Sequence, residues 1–96
     1  MHPGKIKKGD LLNVAMTLAE QQGYSHIKRD EIAKLAGVAM GSVNLHLGTM
    51  HKIRKSVVRR AIKTENLIII AQALVARDPL VDDMDVDLRL RALNSI

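Results

Sequence analysis

Gly37, Gly41 and Gly48 crowd together in IKRDEIAKLAGVAMGSVNLHLGTMHKI, residues 27–53, among residues that otherwise favour helix. Glycine inside a helix is destabilising by roughly 0.5–1 kcal/mol relative to alanine, because it has the most conformational freedom to lose. Gly37 and Gly48 act as punctuation, with Gly41 falling inside the short helix between them. The stretch can form short helices joined by tight turns, and cannot form one continuous rod.

The helical spacing on either side agrees. Asp10 offers an N-cap, and Leu11, Val14, Ala15, Leu18 and Ala19 recur at helical spacing. This first helix is predicted to end near Gln22, with Gly23 taking left-handed backbone. A second helix, about Arg29–Leu35, turns Ile32, Ala33, Leu35 and Ala36 inward and sets Asp30 and Glu31 in its first turn, where the helix dipole favours acids. Gly37 ends it, Val38 is a single apolar anchor, and a third helix over about Ala39–His46 has Val43 and Leu47 as inward residues, four apart. Gly48 ends that one, and Thr49 suits the N-cap of a fourth. On the fourth, Met50, Ile53, Val57 and Ala61 make an apolar stripe, and Lys52, Lys55, Arg59 and Lys63 make a basic one alongside. From Leu67 to Ala76 only Gln72 is polar, so this segment must be buried on more than one side. Asp78-Pro79 is a stop or a fresh start. An acidic stretch (Asp82, Asp83, Asp85, Asp87) and a last short helix with Leu88, Leu90, Ala92 and Leu93 follow.

The fold class expected is all-α: a helix-turn-helix three-helix bundle followed by one or two dimerisation helices. Residues 1–63 are expected to form the first unit and 64–96 the helical dimerisation segment. The hydrophobic fraction, 47%, suits a folded domain. Tyr24 is the one aromatic residue, so the core is aliphatic, and base stacking on single strands lacks its platforms. With no cysteine, disulfides, Cys-type zinc sites and thiol catalysis are excluded. The basic start (Lys5, Lys7, Lys8) leads into a polar-interrupted helix, unlike a signal peptide. The longest apolar run is too short for a membrane span. A soluble cytoplasmic protein without membrane attachment is the expectation.

Charge is divided unevenly. Residues 1–63 hold twelve Lys or Arg against four Asp or Glu, and residues 64–96 hold three against six. A basic N-terminal two-thirds suits a polyanion as well as a merely solvated surface. The motif decides between them. Two short helices joined through "LAGV" have the pattern of a helix-turn-helix. Its second helix would lie in the major groove with its N-terminal residues at base edges. Gly41 then removes a side chain where backbone approaches DNA, and the helix after Gly48 can face a phosphate.

In order, Gly23-Tyr24, Ile32-Ala33, Ala36-Gly37-Val38, Gly41-Ser42-Val43 and Gly48-Thr49 resemble the DNA-binding domain of the TetR family of bacterial repressors, over about residues 10–62. The resemblance implies a homodimeric transcriptional repressor on a palindromic operator in double-stranded DNA. It also implies DNA contacts from Lys28, Arg29, Ala39, Met40, Gly41, Ser42, Asn44, His46, Thr49, His51, Lys52 and Lys55, with Lys5 and Lys7 from the N-terminal arm. Dimerisation would fall to Leu67, Ile68, Ile70, Leu74 and Val75. The chain departs from the family pattern at Lys28 and Ala39, where Ser or Thr usually caps, at Asn44 and Leu47, where Tyr and Phe are usual, and at Met50, where Lys is common. Asn44 can contact adenine bidentately, which Tyr cannot. Family members usually bind a small effector in a large C-terminal helical domain. Residues 64–96 are expected to be too few for a pocket of ~300 Å³ or more, so no small-molecule effector is expected.

Bland readings stand beside these. His46 and His51 lack the companions a metal site needs. The Asp82–Asp87 cluster lacks the glycine and terminal Glu of an EF-hand and reads as a solvated surface. Tyr24 suits packing under the first helix. No Ser/His/Asp or paired-carboxylate arrangement suggests an enzyme, and no cofactor is expected. Two alternatives to a sequence-specific regulator remain: a protein-interaction module with a partner protein at the C-terminal helices, and a non-specific nucleoid-type binder.

Overall fold

The computed structural model describes residues 7–95. The described chain is all-α, with no strand. Its elements are α1 (Lys8–Gln22), α2 (Arg29–Ala36), α3 (Met40–Leu47), α4 (Met50–Thr64), α5 (Leu67–Val75), a 3-10 turn (Pro79–Val81) and α6 (Val86–Asn94).

The first helix is the hub. It buries Leu11, Leu12, Ala15, Met16, Leu18 and Ala19, which cover more than one face, and packs against α2, α3, α4 and α5. Ala15 and Ala19 are fully buried one turn apart, so neighbouring helices can come close to its axis. Ile32 and Ala33 of α2, Val43 and Leu47 of α3, and Ile53, Val57, Val58 and Ala61 of α4 close on it. The same core continues through Ile69, Ile70 and Ala73 of α5 to Val81, Met84, Leu88 and Ala92. No polar or charged residue is fully buried among those described.

Helix ends are set locally. At the end of α2, Gly37 is left-handed (φ 71°, ψ 34°). Its N–H donates to the Lys34 carbonyl and the Val38 N–H to the Ala33 carbonyl at 3.0 Å, the paired bonds that close a Schellman turn. Helices α4 and α5 end the same way on Glu65 (φ 57°) and Arg77 (φ 56°), neither a glycine. Thr49, Asn66, Asp78 and Asp85 cap the elements that follow them, each side-chain oxygen accepting a backbone N–H.

The structure corrects several expectations. Helix α1 starts at Lys8, and Asp10 lies inside it, its carboxylate accepting the Lys7 N–H at 3.2 Å. Gly23 has the positive φ expected of it (92°), but its ψ of 136° lies outside the left-handed helical region. Helix α3 is Met40–Leu47, with Ala39 extended before it. Leu35, expected inward, is exposed, because Ile32 and Ala33 already fill the face that meets α1. Asp85 is a helix cap within the acidic stretch.

One polar chain ties the N-terminal helices to the C-terminal ones. Gln72 of α5 donates through Nε2 to the Ala19 carbonyl at 2.9 Å and accepts the Tyr24 N–H at 2.9 Å. The Tyr24 hydroxyl donates to Asp78 at 2.9 Å, and the other oxygen of that carboxylate caps the 3-10 turn. Tyr24 is buried, as its packing role requires. Burial pushes its phenol up to about 12, helped by the hydrogen bond to Asp78 and that carboxylate's charge.

The fold therefore holds the neutral phenol. An unfolded tyrosine titrates near ~10, so this contribution is complete below that pH and is lost as pH rises from about 10 towards about 12. Tyr24→Phe should cost about 1.5–3 kcal/mol at neutral pH, the value of a hydrogen bond to a charged acceptor. Urea denaturation of both proteins across this range checks it. The gap between them should be constant at neutral pH and close in the alkaline window.

Candidate nucleic-acid interface

Two short helices, α2 and α3, meet at the turn Gly37–Ala39. Within α3 only Val43 and Leu47 are buried, at 0% and 5% exposure. The remainder of the helix is therefore spread around a half-cylinder that faces away from α1. Met40, Gly41 and Asn44 are exposed, and Ser42 and His46 are partly so. Ala39 has no side-chain oxygen to cap α3, and Lys28 makes no capping bond to α2.

At about 100° per residue, a position two from Val43 and two from Leu47 lies across the helix from both. That position is Leu45, and it is 81% exposed. The sequence reading passed over it while naming its neighbours. The signal was available, since the two inward residues fix the outward apex.

Beside the end of α3 lies a basic recess of about 330 Å³, lined by Lys8, Leu47, Lys52, Lys55, Ser56 and Arg59. Lys52 lies across Gly48: a Cβ there would stand 3.1 Å from Lys52 Cδ, and Gly48 itself has φ 82°. The turn after α3 thus needs glycine both for its backbone and for the lysine stem above it. From Ile32 to Thr64 the chain contains no Asp or Glu. The cations of the recess consequently have no acid of that stretch to neutralise them, and an external polyanion lowers their mutual repulsion.

The structure brings Lys52 and Lys55 into this recess and adds Lys8 and Arg59, which the residue assignment had left out. His51 is exposed near it, and Thr49 caps α4 through its hydroxyl. Lys7 is exposed just before α1. Lys5 lies outside the described residues. Lys28 and Arg29 stand apart from the recess, at the start of α2, where Arg29 is partly buried with its Nε unpaired. No group of three or more His, Cys, Asp or Glu residues suited to a metal occurs among the described residues, so His46 and His51 have no such companions.

The residues assigned to dimerisation divide. Ile70 is fully buried in the chain's own core and cannot serve a partner, because α5 turns it towards the body of the domain. Leu67 and Leu74 are half-buried against the same core. Ile68 and Val75 are free, at 54% and 72% exposure, and Val86, Leu90 and Leu93 expose a second apolar stripe on α6. An open, mainly apolar groove of about 560 Å³ runs past Ile68, Ala71, Val75 and Ala76. Residues 22–26 and Ser95 also line it. The expectation that too little chain remained for such a space fails here, because residues 22–26 come from the N-terminal part. No helix among the described residues is long and apolar enough to cross a membrane.

No protein-family model, curated protein or solved structure matches this chain.

Two glycines make opposite tests of this geometry. Around a Cβ at Gly41 there is nothing within 4 Å, and its backbone is helical. Gly41→Ala should therefore stabilise the fold by about 0.5–1 kcal/mol. Gly37 also has open space but a left-handed φ of 71°. Gly37→Ala should destabilise by about 1–2 kcal/mol. Thermal and chemical denaturation of both variants gives the signs directly.

Proposed function

We propose that this chain is a sequence-specific double-stranded-DNA-binding transcriptional regulator, a homodimeric repressor on a palindromic operator. Helix α3 reads the major groove, and the cations of α4 and the α1 start hold phosphates. One observation carries this: α3 is anchored by two side chains only, and the rest of it stands free beside a recess in which Lys8, Lys52, Lys55 and Arg59 converge. A short protruding helix in a field of uncompensated cations fits a groove framed by phosphates. The ordered glycines and apolar anchors that resemble TetR repressors support the same reading and supply the sign of regulation. Ile68, Val75 and the α6 stripe of Val86, Leu90 and Leu93 are the surface offered to a second copy.

Such a dimer sets two copies of α3 on half-sites ~34 Å, or a multiple, apart. Selection from a random duplex pool should return a two-fold symmetric site. A single asymmetric half-site bound by a monomer would contradict the dimer.

Within that complex Asn44 and Ser42 read bases, while Lys52 and Lys55 hold the backbone. Asn44→Ala should cost roughly 1–3 kcal/mol and relax preference at one base pair. Lys52→Ala should weaken all duplexes alike and lower the salt slope by about one. The more stable Gly41→Ala should bind the selected duplex more weakly, its new methyl keeping the α3 backbone from the groove. Uniform losses from Asn44→Ala and Lys52→Ala alike would remove the distinction between readers and holders.

The apolar groove beside α5 favours one other reading, a protein-interaction module in which these helices serve only as scaffold. Salt separates the two. Phosphate contacts lose affinity steeply as salt rises, and an apolar interface does not.

A further inference from the structure

We propose that Leu45 reads the C5-methyl group of a thymine, which makes it a specificity determinant at the centre of the interface. This rests on the duplex-binding function proposed above and names a contact within it.

Leucine at 81% exposure is the most exposed large hydrophobic side chain described in this chain. It stands at the outward apex of α3, opposite Val43 and Leu47, with no role in the core. One turn before it on the same side are Gly41, which has no side chain, and Ser42, whose side chain is short. The leucyl tip therefore projects past its neighbours and can enter a groove ahead of them. Asn44 and His46 flank it on either side of the helix. Helix α3 holds no acid or lysine, and no acid occurs anywhere from Ile32 to Thr64.

An exposed apolar tip on a helix whose opposite side adjoins a cationic recess has a narrow set of complements. A hydrophobic protein groove would match the leucine but leave the cations of the recess unpaired. The major groove offers both: phosphates along its edges and, at thymine, a methyl group projecting from its floor, the one apolar feature of the four bases there. Packing leucine on that methyl removes apolar area of both groups from water, worth somewhat less than a tenfold change in affinity per methyl. Asn44, beside it, is suited to adenine. The pair would thus favour A·T-containing steps at the centre of each half-site.

The test substitutes deoxyuridine for each thymine in turn in the duplex recovered by selection. This deletes the methyl and leaves base pairing intact. The intact protein should lose about 3- to 10-fold in affinity at one thymine per half-site. Leu45→Ala, whose thermal unfolding should match that of the parent because the side chain is exposed, should show no uracil penalty at that position and keep it elsewhere. A penalty that persists unchanged in Leu45→Ala, or that occurs at no thymine, overturns the proposal while salt-dependent duplex binding still stands. Should the parent protein retain no duplex at any salt concentration, the broader function falls and this contact with it. If Leu45→Ala instead abolishes capture of an acidic protein by a chain that ignores DNA, the apolar tip serves a protein partner and the proposal fails.

Discussion

Burial of α1 is the constraint on which the other helices depend. A helix that buries Leu11, Leu12, Ala15, Met16, Leu18 and Ala19 leaves only a narrow strip to solvent. It lies among four other helices because no single neighbour could cover so much apolar surface. In a chain with no Phe or Trp, the core is built from aliphatic side chains, each contributing about 1.5–3 kcal/mol when fully buried. Small residues at Ala15, Ala19, Ala61 and Ala73 bring the helices close enough for that to suffice. The consequence for α3 is direct. With α1 already enclosed by α2 and α4, α3 needs only Val43 and Leu47 to dock, and its remaining residues are released to the outside.

Acids and bases are used differently in the two parts of the chain. Several acids are committed to structure. Asp78 accepts from Tyr24 and caps the 3-10 turn, Asp85 caps α6, and Glu65 and Asp87 both pair with Arg91 at 3.0 Å. Those last pairs are exposed and contribute little to stability. Four cations on α4 have no such duties: Lys52, Lys55, Arg59 and Lys63 are all exposed, whereas Arg60 of the same helix donates to Asn13 of α1. Folding thus tethers negative charge around the C-terminal helices and leaves positive charge free beside α3. That asymmetry gives the proposed DNA face its field, which salt would screen within about 10 Å at moderate ionic strength.

Local rules made most of the fold legible. Gly37 and Gly48 marked helix ends because glycine takes positive φ without strain, although Glu65 and Arg77 take it too, and the spacing of Ile53, Val57 and Ala61 fixed the inward face of α4. Periodicity failed where a segment is apolar all round. In α5 it could not tell Ile70, which faces the chain's own core, from Ile68, which faces out. The two apolar stripes of α6 posed the same problem. The Gln72 bridge was illegible for another reason: its partners Ala19 and Tyr24 lie far away in sequence, and no local pattern encodes that meeting. At the candidate site, Lys52 and Lys55 were found by their spacing. Lys8 was grouped with Lys5 and Lys7 in the basic N-terminal arm without a contact of its own, whereas α1 begins there and sets it in the recess.

The central claim, that α3 and the start of α4 form a DNA-reading face, is tested most directly by amide chemical shifts of the labelled protein titrated with the selected duplex at low salt. The account predicts shifts concentrated over residues 39–55 and at Lys8, with the α5 amides from Ile68 to Val75 unmoved beyond any change in dimerisation. Shifts confined to the groove lined by residues 22–26 and α5, with α3 silent, would contradict it.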